Sequence, residues 1–206
     1  MIPVTSADDG LMVYTTNAEG GRKCIQMYNN VSNSWENIQC FSSRIFYETM
    51  GNNAPLSTPF PTVTDYHLNG YFDNSATHSF SGINVDVRSS TPYAGGSGLA
   101  NIWISTTTSN KTFEITNIDL SSYTGPLILK MAIFKTTNNP CDLTIEYYDS
   151  LTSSYVDVST TFSGNSAWYS VTLSSSIPNT ITKIRIRKTL ANANGYRIDD
   201  IEIIKP

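Results

Sequence analysis

An all-β sandwich or barrel is the fold this sequence predicts. From Phe80 onward, short runs recur with turn residues between them: FSGINVDVR, LANIWIS, TFEITNIDL, LILKMAIF, DLTIEYY, SYVDV, WYSVTL, ITKIRIRK and YRIDDIEII. Strands at this spacing build sandwiches and barrels. Only 15% of the 206 residues are charged, while Ser, Thr, Asn and Tyr are spread along the whole chain. That composition suits strands whose outer faces are polar without being charged.

Alternation assigns faces within the runs. In ITKIRIRK, Ile184 and Ile186 point one way and Lys183, Arg185 and Arg187 the other. In INVDVR the expected inner set is Ile83, Val85 and Val87, with Asn84, Asp86 and Arg88 outside. LILKMAIF is apolar on both faces except at Lys130 and reads as a central strand covered on both sides. In the last run Tyr196 and Ile198 share a parity that Ile201 and Ile203 do not, so a β-bulge is expected at Asp199-Asp200.

Before residue 47 the pattern is different. LMVYTT (Leu11 to Thr16), CIQMY (Cys24 to Tyr28) and WENIQCF (Trp35 to Phe41), separated by Gly-Gly and Asn-rich turns, read as three short antiparallel strands. A module this small is marginal alone and is expected to pack on the next domain or on copies of itself. Between 47 and about 79, Pro55, Pro59 and Pro61 prevent continuous strand pairing. This stretch reads as a long connection over the sandwich.

The net charge of −4 argues against nucleic acid as a partner. No run of 18 or more apolar residues is present, which gives no expectation of membrane insertion, and MIPVTSADDG lacks the basic and apolar regions of a signal peptide. If the protein is exported, its signal lies upstream or has been trimmed. The three cysteines, Cys24, Cys40 and Cys141, have no zinc-site spacing. A Cys24–Cys40 bridge and two free buried thiols both fit the sequence, and Cys141 is left unpaired either way.

Two resemblances extend this reading. The segment ADDGLMVYTTNAEGGRKCIQMYNNVSNSWENIQC, with its G-L-M-V-Y strand and Q-x-Y-N…W hairpin, resembles a short β-module of bacterial surface and tail-fibre-like proteins. That likeness implies a spacing or trimerising role; a hairpin that caps the sandwich is the other reading. The order TFEITNIDLSSYTGPLILKMAIF, DLTIEYYDS, WYSVTLSSSIPNTITKIRIRKT and YRIDDIEI resembles the galactose-binding-like jelly-roll modules of secreted bacterial proteins. YETMG at Tyr47 to Gly51 is similar to their opening strand. The resemblance implies a jelly-roll β-sandwich over residues 47–206, behind an N-terminal hairpin module over 1–46. It also implies one structural calcium between an early strand and the closing strand. Carried over by position, its ligands are Glu48 and Asp200, with Asp86 of NVDVR as a third candidate. Ordinary strand-end hydrogen bonding is the alternative role for these carboxylates.

No credible enzyme site emerges. Gly95-Gly96-Ser97-Gly98 has the wrong spacing for a nucleophile elbow, and His67 and His78 fit no metal pattern. Asp199 and Asp200 are neighbours on one strand, not a pair facing across a cleft. Sugar recognition needs aromatic faces for C–H surfaces and a few planar polar groups. Trp103, Tyr148 and Trp168 are out of phase with their inward neighbours, Tyr93 lies in a loop, and Arg185 centres the row that runs from Lys183 to Arg187. The row suits an acidic sugar; the alternatives are that such aromatics pack under loops and that such a row is a solvated strand face. The expectation is a secreted or cell-surface module for non-catalytic binding or adhesion, with a glycan as partner. The alternative is a structural spacer or assembly domain of a cell-surface protein or a larger secreted hydrolase.

Overall fold

The computed structural model describes residues 9–18, 22–41, 43–53, 58–89, 99–107, 109–160 and 168–205. The chain divides into two compact units: Met1–Ile45 with Ile204–Pro206, and Phe46–Ile203.

The first unit is an antiparallel sheet of β1 (Met12–Ala18), β2 (Arg22–Asn29) and β3 (Ser34–Phe41), in that order. The turn between β2 and β3 is built by asparagines. Asn29 Oδ1 accepts from Val31 N at 2.8 Å, and Asn33 takes a left-handed φ of 52°, which its short polar side chain tolerates. Tyr28 and Trp35 pack across the strands with ring centroids 5.5 Å apart. Cys24 is disulfide-bonded, Cys40 is its register partner on β3, and Cys141 is free.

The second unit opens with the end of β4 (Ser43–Glu48) and a short helix, α1 (Val63–Leu68). There follow β5 (Ser79–Ile83), β6 (Asp86–Ser89), β7 (Ala100–Ile104), β8 (Lys111–Thr116) and β9 (Leu127–Lys135). The chain closes with β10 (Thr144–Asp149), β11 (Ser154–Asp157), β12 (Trp168–Ile177), β13 (Ile181–Lys188) and β14 (Tyr196–Lys205). These strands form a β-sandwich. One sheet runs β11-β10-β13-β8-β5; the other runs β12-β9-β14-β7-β6, with β4 also pairing β14.

Period-two alternation builds the core. Phe113 and Ile115 of β8, Ile145 and Tyr147 of β10, and Ile184 and Ile186 of β13 are buried from one sheet, and Ile102, Ile104, Leu129, Met131 and Ile133 from the other. Each such side chain contributes roughly 1.5–3 kcal/mol relative to exposure. Phe72 stacks on Phe80 at 4.2 Å, which ties the segment after α1 to the same core.

Three expectations need revision. Ile83 is 61% exposed, whereas Val85 and Val87 are buried. Asn84, at a φ of 55°, turns the chain out of β5 and into β6 of the opposite sheet, so INVDVR is two strand ends and not one strand. LILKMAIF does lie between β12 and β14, but Ile128, Lys130 and Phe134 are only half-buried, so its outer face is not fully covered. The connection at 47–79 contains α1, capped by Thr62, whose hydroxyl accepts from Asp65 N at 3.0 Å, and anchored by buried Val63 and Tyr66. At the closing strand, Asp200 has a φ of 46°, and this left-handed residue lets Tyr196, Ile198, Ile201 and Ile203 all face inward.

Candidate functional site

The inward residues of the five-stranded sheet fix what its other face presents. In one row, successive register partners are Asp157, Glu146, Arg185, Glu114 and Ser81, crossing β11, β10, β13, β8 and β5. The adjacent row is Tyr155, Tyr148, Lys183, Thr116 and Ser79. With strands about 4.8 Å apart, each row spans about 19 Å. The face is polar, aromatic at one edge, and half-exposed at Tyr148, Tyr155, Lys183, Arg185, Arg187 and Glu114.

Its side chains lock one another in place. Glu146, 7% exposed, accepts from Arg185 Nε and from Arg187 Nε and Nη2, each at 2.8 Å. The hydrogen bond from Arg187 outweighs burial and, with Arg185, holds the Glu146 carboxyl below its ordinary range. Tyr155 donates to Glu114 Oε2 at 2.8 Å, and burial together with that bond pushes its phenol up to about 12. The Arg185 guanidinium lies 3.4 Å from the Tyr155 ring centroid, and Lys183 Nζ is 5.3 Å from that of Tyr148. The two tyrosine rings meet edge to face at 5.1 Å. Planar groups held this way keep their orientation without a ligand, which lowers the ordering cost of binding one.

Of the residues the sequence singles out, Tyr148 and Arg185 fall on this face. Trp103 lies on the other sheet, where Asp86 and Arg197 are its register partners. The Arg88 and Arg197 guanidiniums each lie 5.1 Å from its ring centroid, Arg88 also covers Phe60 at 4.2 Å, and Arg88 is ion-paired with Asp86 at 2.7 Å. A Cβ on Gly195 would come within 2.7 Å of Trp103 Cη2, so glycine is what lets the ring lie there. Trp168, also on that second sheet, packs on Phe134 at 5.7 Å. Tyr93 lies outside the described residues. Glu146, Glu114 and Tyr155 were not singled out, although alternation in LTIEYY, TFEIT and SYVDV marks each of them as outward.

The three carboxylates named for calcium go to different partners. Asp86 pairs with Arg88, and Asp200 accepts from Tyr47 Oη at 2.8 Å. Glu48 is fully buried and accepts from Asp73 N at 3.1 Å, Asn74 N at 3.0 Å and Asn74 Nδ2 at 2.9 Å. Burial raises the Glu48 carboxyl to about 7, opposed by Asn74 and reinforced by the charge of Asp73. Among the described residues no group of three His, Cys, Asp or Glu side chains converges. Glu48 and Asp73 nonetheless carry hard oxygen donors of the class calcium takes, whereas Asn74 presents its Nδ2 to Glu48.

A cavity of about 440 Å³ lies beside α1, lined by His67, Leu68, Gly70, Phe72, Asp73, Ser75 and Ala76. Its Phe72 is only 2% exposed and offers little ring surface for stacking.

No protein-family model matches this chain. No curated protein matches it either. Among solved structures, the xylan-binding domain CBM22-1 of Paenibacillus barcinonensis Xyn10C is 12% identical with a TM-score of 0.47, over 79% of this chain and 94% of that one. A family 29 carbohydrate-binding module complexed with mannohexaose is 12% identical with a TM-score of 0.46, over 80% and 92%. TmCBM61 in complex with β-1,4-galactotriose is 13% identical with a TM-score of 0.45, over 63% and 88%. At those identities and scores the likeness is a partial agreement of chain traces.

Proposed function

We propose that the second unit is a non-catalytic carbohydrate-binding module and that its ligand lies on the outer face of the five-stranded sheet. The observation that carries this reading is the locked row of Glu146, Arg185, Arg187 and Glu114 beside the Tyr148–Tyr155 edge. Fixed planar groups beside ring surface are what sugar hydroxyls and sugar C–H faces require. Because the carboxylates of Glu146, Glu114 and Asp157 balance the cations of Lys183, Arg185 and Arg187 on this face, it favours a neutral chain over a uronate-rich one.

A glycosidase reading fits this face poorly. Paired catalytic carboxylates flank an open cleft, whereas Glu114 accepts from Tyr155 Oη and Glu146 accepts from Arg185 and Arg187. The acid of such a pair needs a raised pKa, and that of Glu146 is lowered.

Secretion or surface display belongs to the same proposal. The bonded Cys24 is what an oxidising compartment permits. No helix among the described residues is long and apolar enough to cross a membrane. Isothermal titration with soluble neutral polysaccharides tests the reading. Heat of binding that is lost in Tyr148→Ala supports it, and absence of heat with every polysaccharide contradicts it.

A further inference from the structure

The end of the sandwich where β8 begins and β13 ends buries an unusual amount of positive charge. Lys111 and Lys188 are direct register partners in the β8–β13 ladder. Lys111 shares the parity of Phe113 and Ile115, and Lys188 that of Ile186 and Ile184, so both side chains run toward the interior. Both are completely buried, and so is Lys135 at the end of β9. Lysine is almost never fully buried without a counter-charge.

The contacts of Lys111 and Lys188 leave their charge in excess. Lys188 Nζ donates to Leu190 O at 2.9 Å, a neutral carbonyl. Lys111 Nζ is buried and has no hydrogen-bond partner. The carboxylate that acts electrostatically on both Lys111 and Lys188 is Asp142. It brings one negative charge against two ammoniums, and it also accepts from neutral donors: Oδ1 from Tyr196 Oη and from Asn194 Nδ2 at 2.9 Å, and Oδ2 from Asn192 Nδ2 at 2.6 Å. Burial lowers the pKa of both lysines, and the charge of Lys188 lowers that of Lys111 further. An ammonium in this position must lose its proton or acquire an anion.

We infer that this end of the sandwich binds a small inorganic anion of chloride's class, held between the Nζ atoms of Lys111 and Lys188. Complete enclosure of both side chains favours a monatomic ion over phosphate or a carboxylate ligand. Such a site is independent of the glycan face, because Lys111 and Lys188 occupy the inward parity of the strands whose outward parity carries Glu114, Arg185 and Arg187.

Crystals of the full chain grown in sodium bromide test the inference directly. An anomalous peak in contact with Lys111 Nζ is expected; bromide confined to surface sites overturns it. In solution, melting in sodium chloride is compared with melting in sodium isethionate at equal ionic strength. The expected result is a rise of roughly 5 °C specific to chloride, as saturating occupancy of one site gives a domain of this size. The rise should disappear in Lys111→Met. Should that variant fail to fold, the wild-type comparison still decides: equal melting in the two salts overturns the inference.

Discussion

Glu146 on β10 stands directly opposite Arg185 on β13, and the same carboxylate also receives both Nε and Nη2 of Arg187, two residues further along the strand. One buried acid therefore orients two half-exposed guanidiniums.

Glu146→Gln keeps the volume of the side chain and removes its charge. Two guanidiniums then lose the carboxylate they share at a partly desolvated site, where side-chain exposures are 23% for Arg185 and 33% for Arg187. A loss of about 2 kcal/mol is expected, less than for a fully buried pair. Thermal unfolding should report it as a fall of about 4–8 °C. An unchanged melting temperature would mean that the ion pairs are worth nothing to the fold.

The same residue sets a pH dependence. Its pKa is depressed when folded, chiefly by the hydrogen bond from Arg187, so its stabilisation is present above the unfolded value of about 4.3 and is lost as pH falls through the folded value. The difference in melting temperature between wild type and Glu146→Gln should be steady from about pH 7 to pH 5 and shrink below about pH 4. A gap that does not change down to about pH 3 contradicts the depressed pKa.

Trp103→Ala should act on stability and spare binding. The ring lies between Arg88 and Arg197 on the sheet away from the proposed face, so its removal uncovers both guanidiniums and leaves a void beside Gly195. We expect a loss of about 2–3 kcal/mol, below the range for a fully buried tryptophan. A melting temperature within a degree of wild type, together with lost glycan affinity, would move the site to the other sheet.

Chelation tests the expectation of calcium. If Glu48 and Asp200 hold a divalent cation, EDTA should lower the melting temperature, calcium should restore it, and Asp200→Ala should show neither response. Melting indifferent to both reagents would leave Glu48 as a carboxylate held by Asp73 and Asn74 alone.

Much of the fold was legible because alternation is a local signal. Inward Ile184 and Ile186 and outward Arg185 can be read from eight residues of sequence, and so can the parity break at Asp199-Asp200. Ile83 was misassigned because alternation cannot tell a continuous strand from two strand ends joined at a left-handed asparagine, and Asn84 is one. The helix α1 was missed although its signature was present: Thr62 followed three residues later by Asp65, just after Pro59 and Pro61. The candidate face was visible only in fragments. Tyr148 and Arg185 could be picked out singly, but Glu146 and Glu114 gain their roles from the strand order β11-β10-β13-β8-β5. That order comes from pairings between distant segments. For the same reason Trp103 was recognisable as outward-facing, while its contacts with Arg88 and Arg197 were not.

The proposed function requires that a glycan bind across Tyr148, Glu146 and Arg185. The most direct test is retention of the wild-type chain, Tyr148→Ala and Glu146→Gln on one array of neutral and uronate-containing oligosaccharides. Wild type should be retained by a subset of the neutral chains. Tyr148→Ala should weaken retention about tenfold or more, as losing about 1.4 kcal/mol of stacking requires, and Glu146→Gln should weaken it on the same oligosaccharides. Wild-type protein that is retained by no glycan, or variants that are retained as strongly as wild type, would contradict the account.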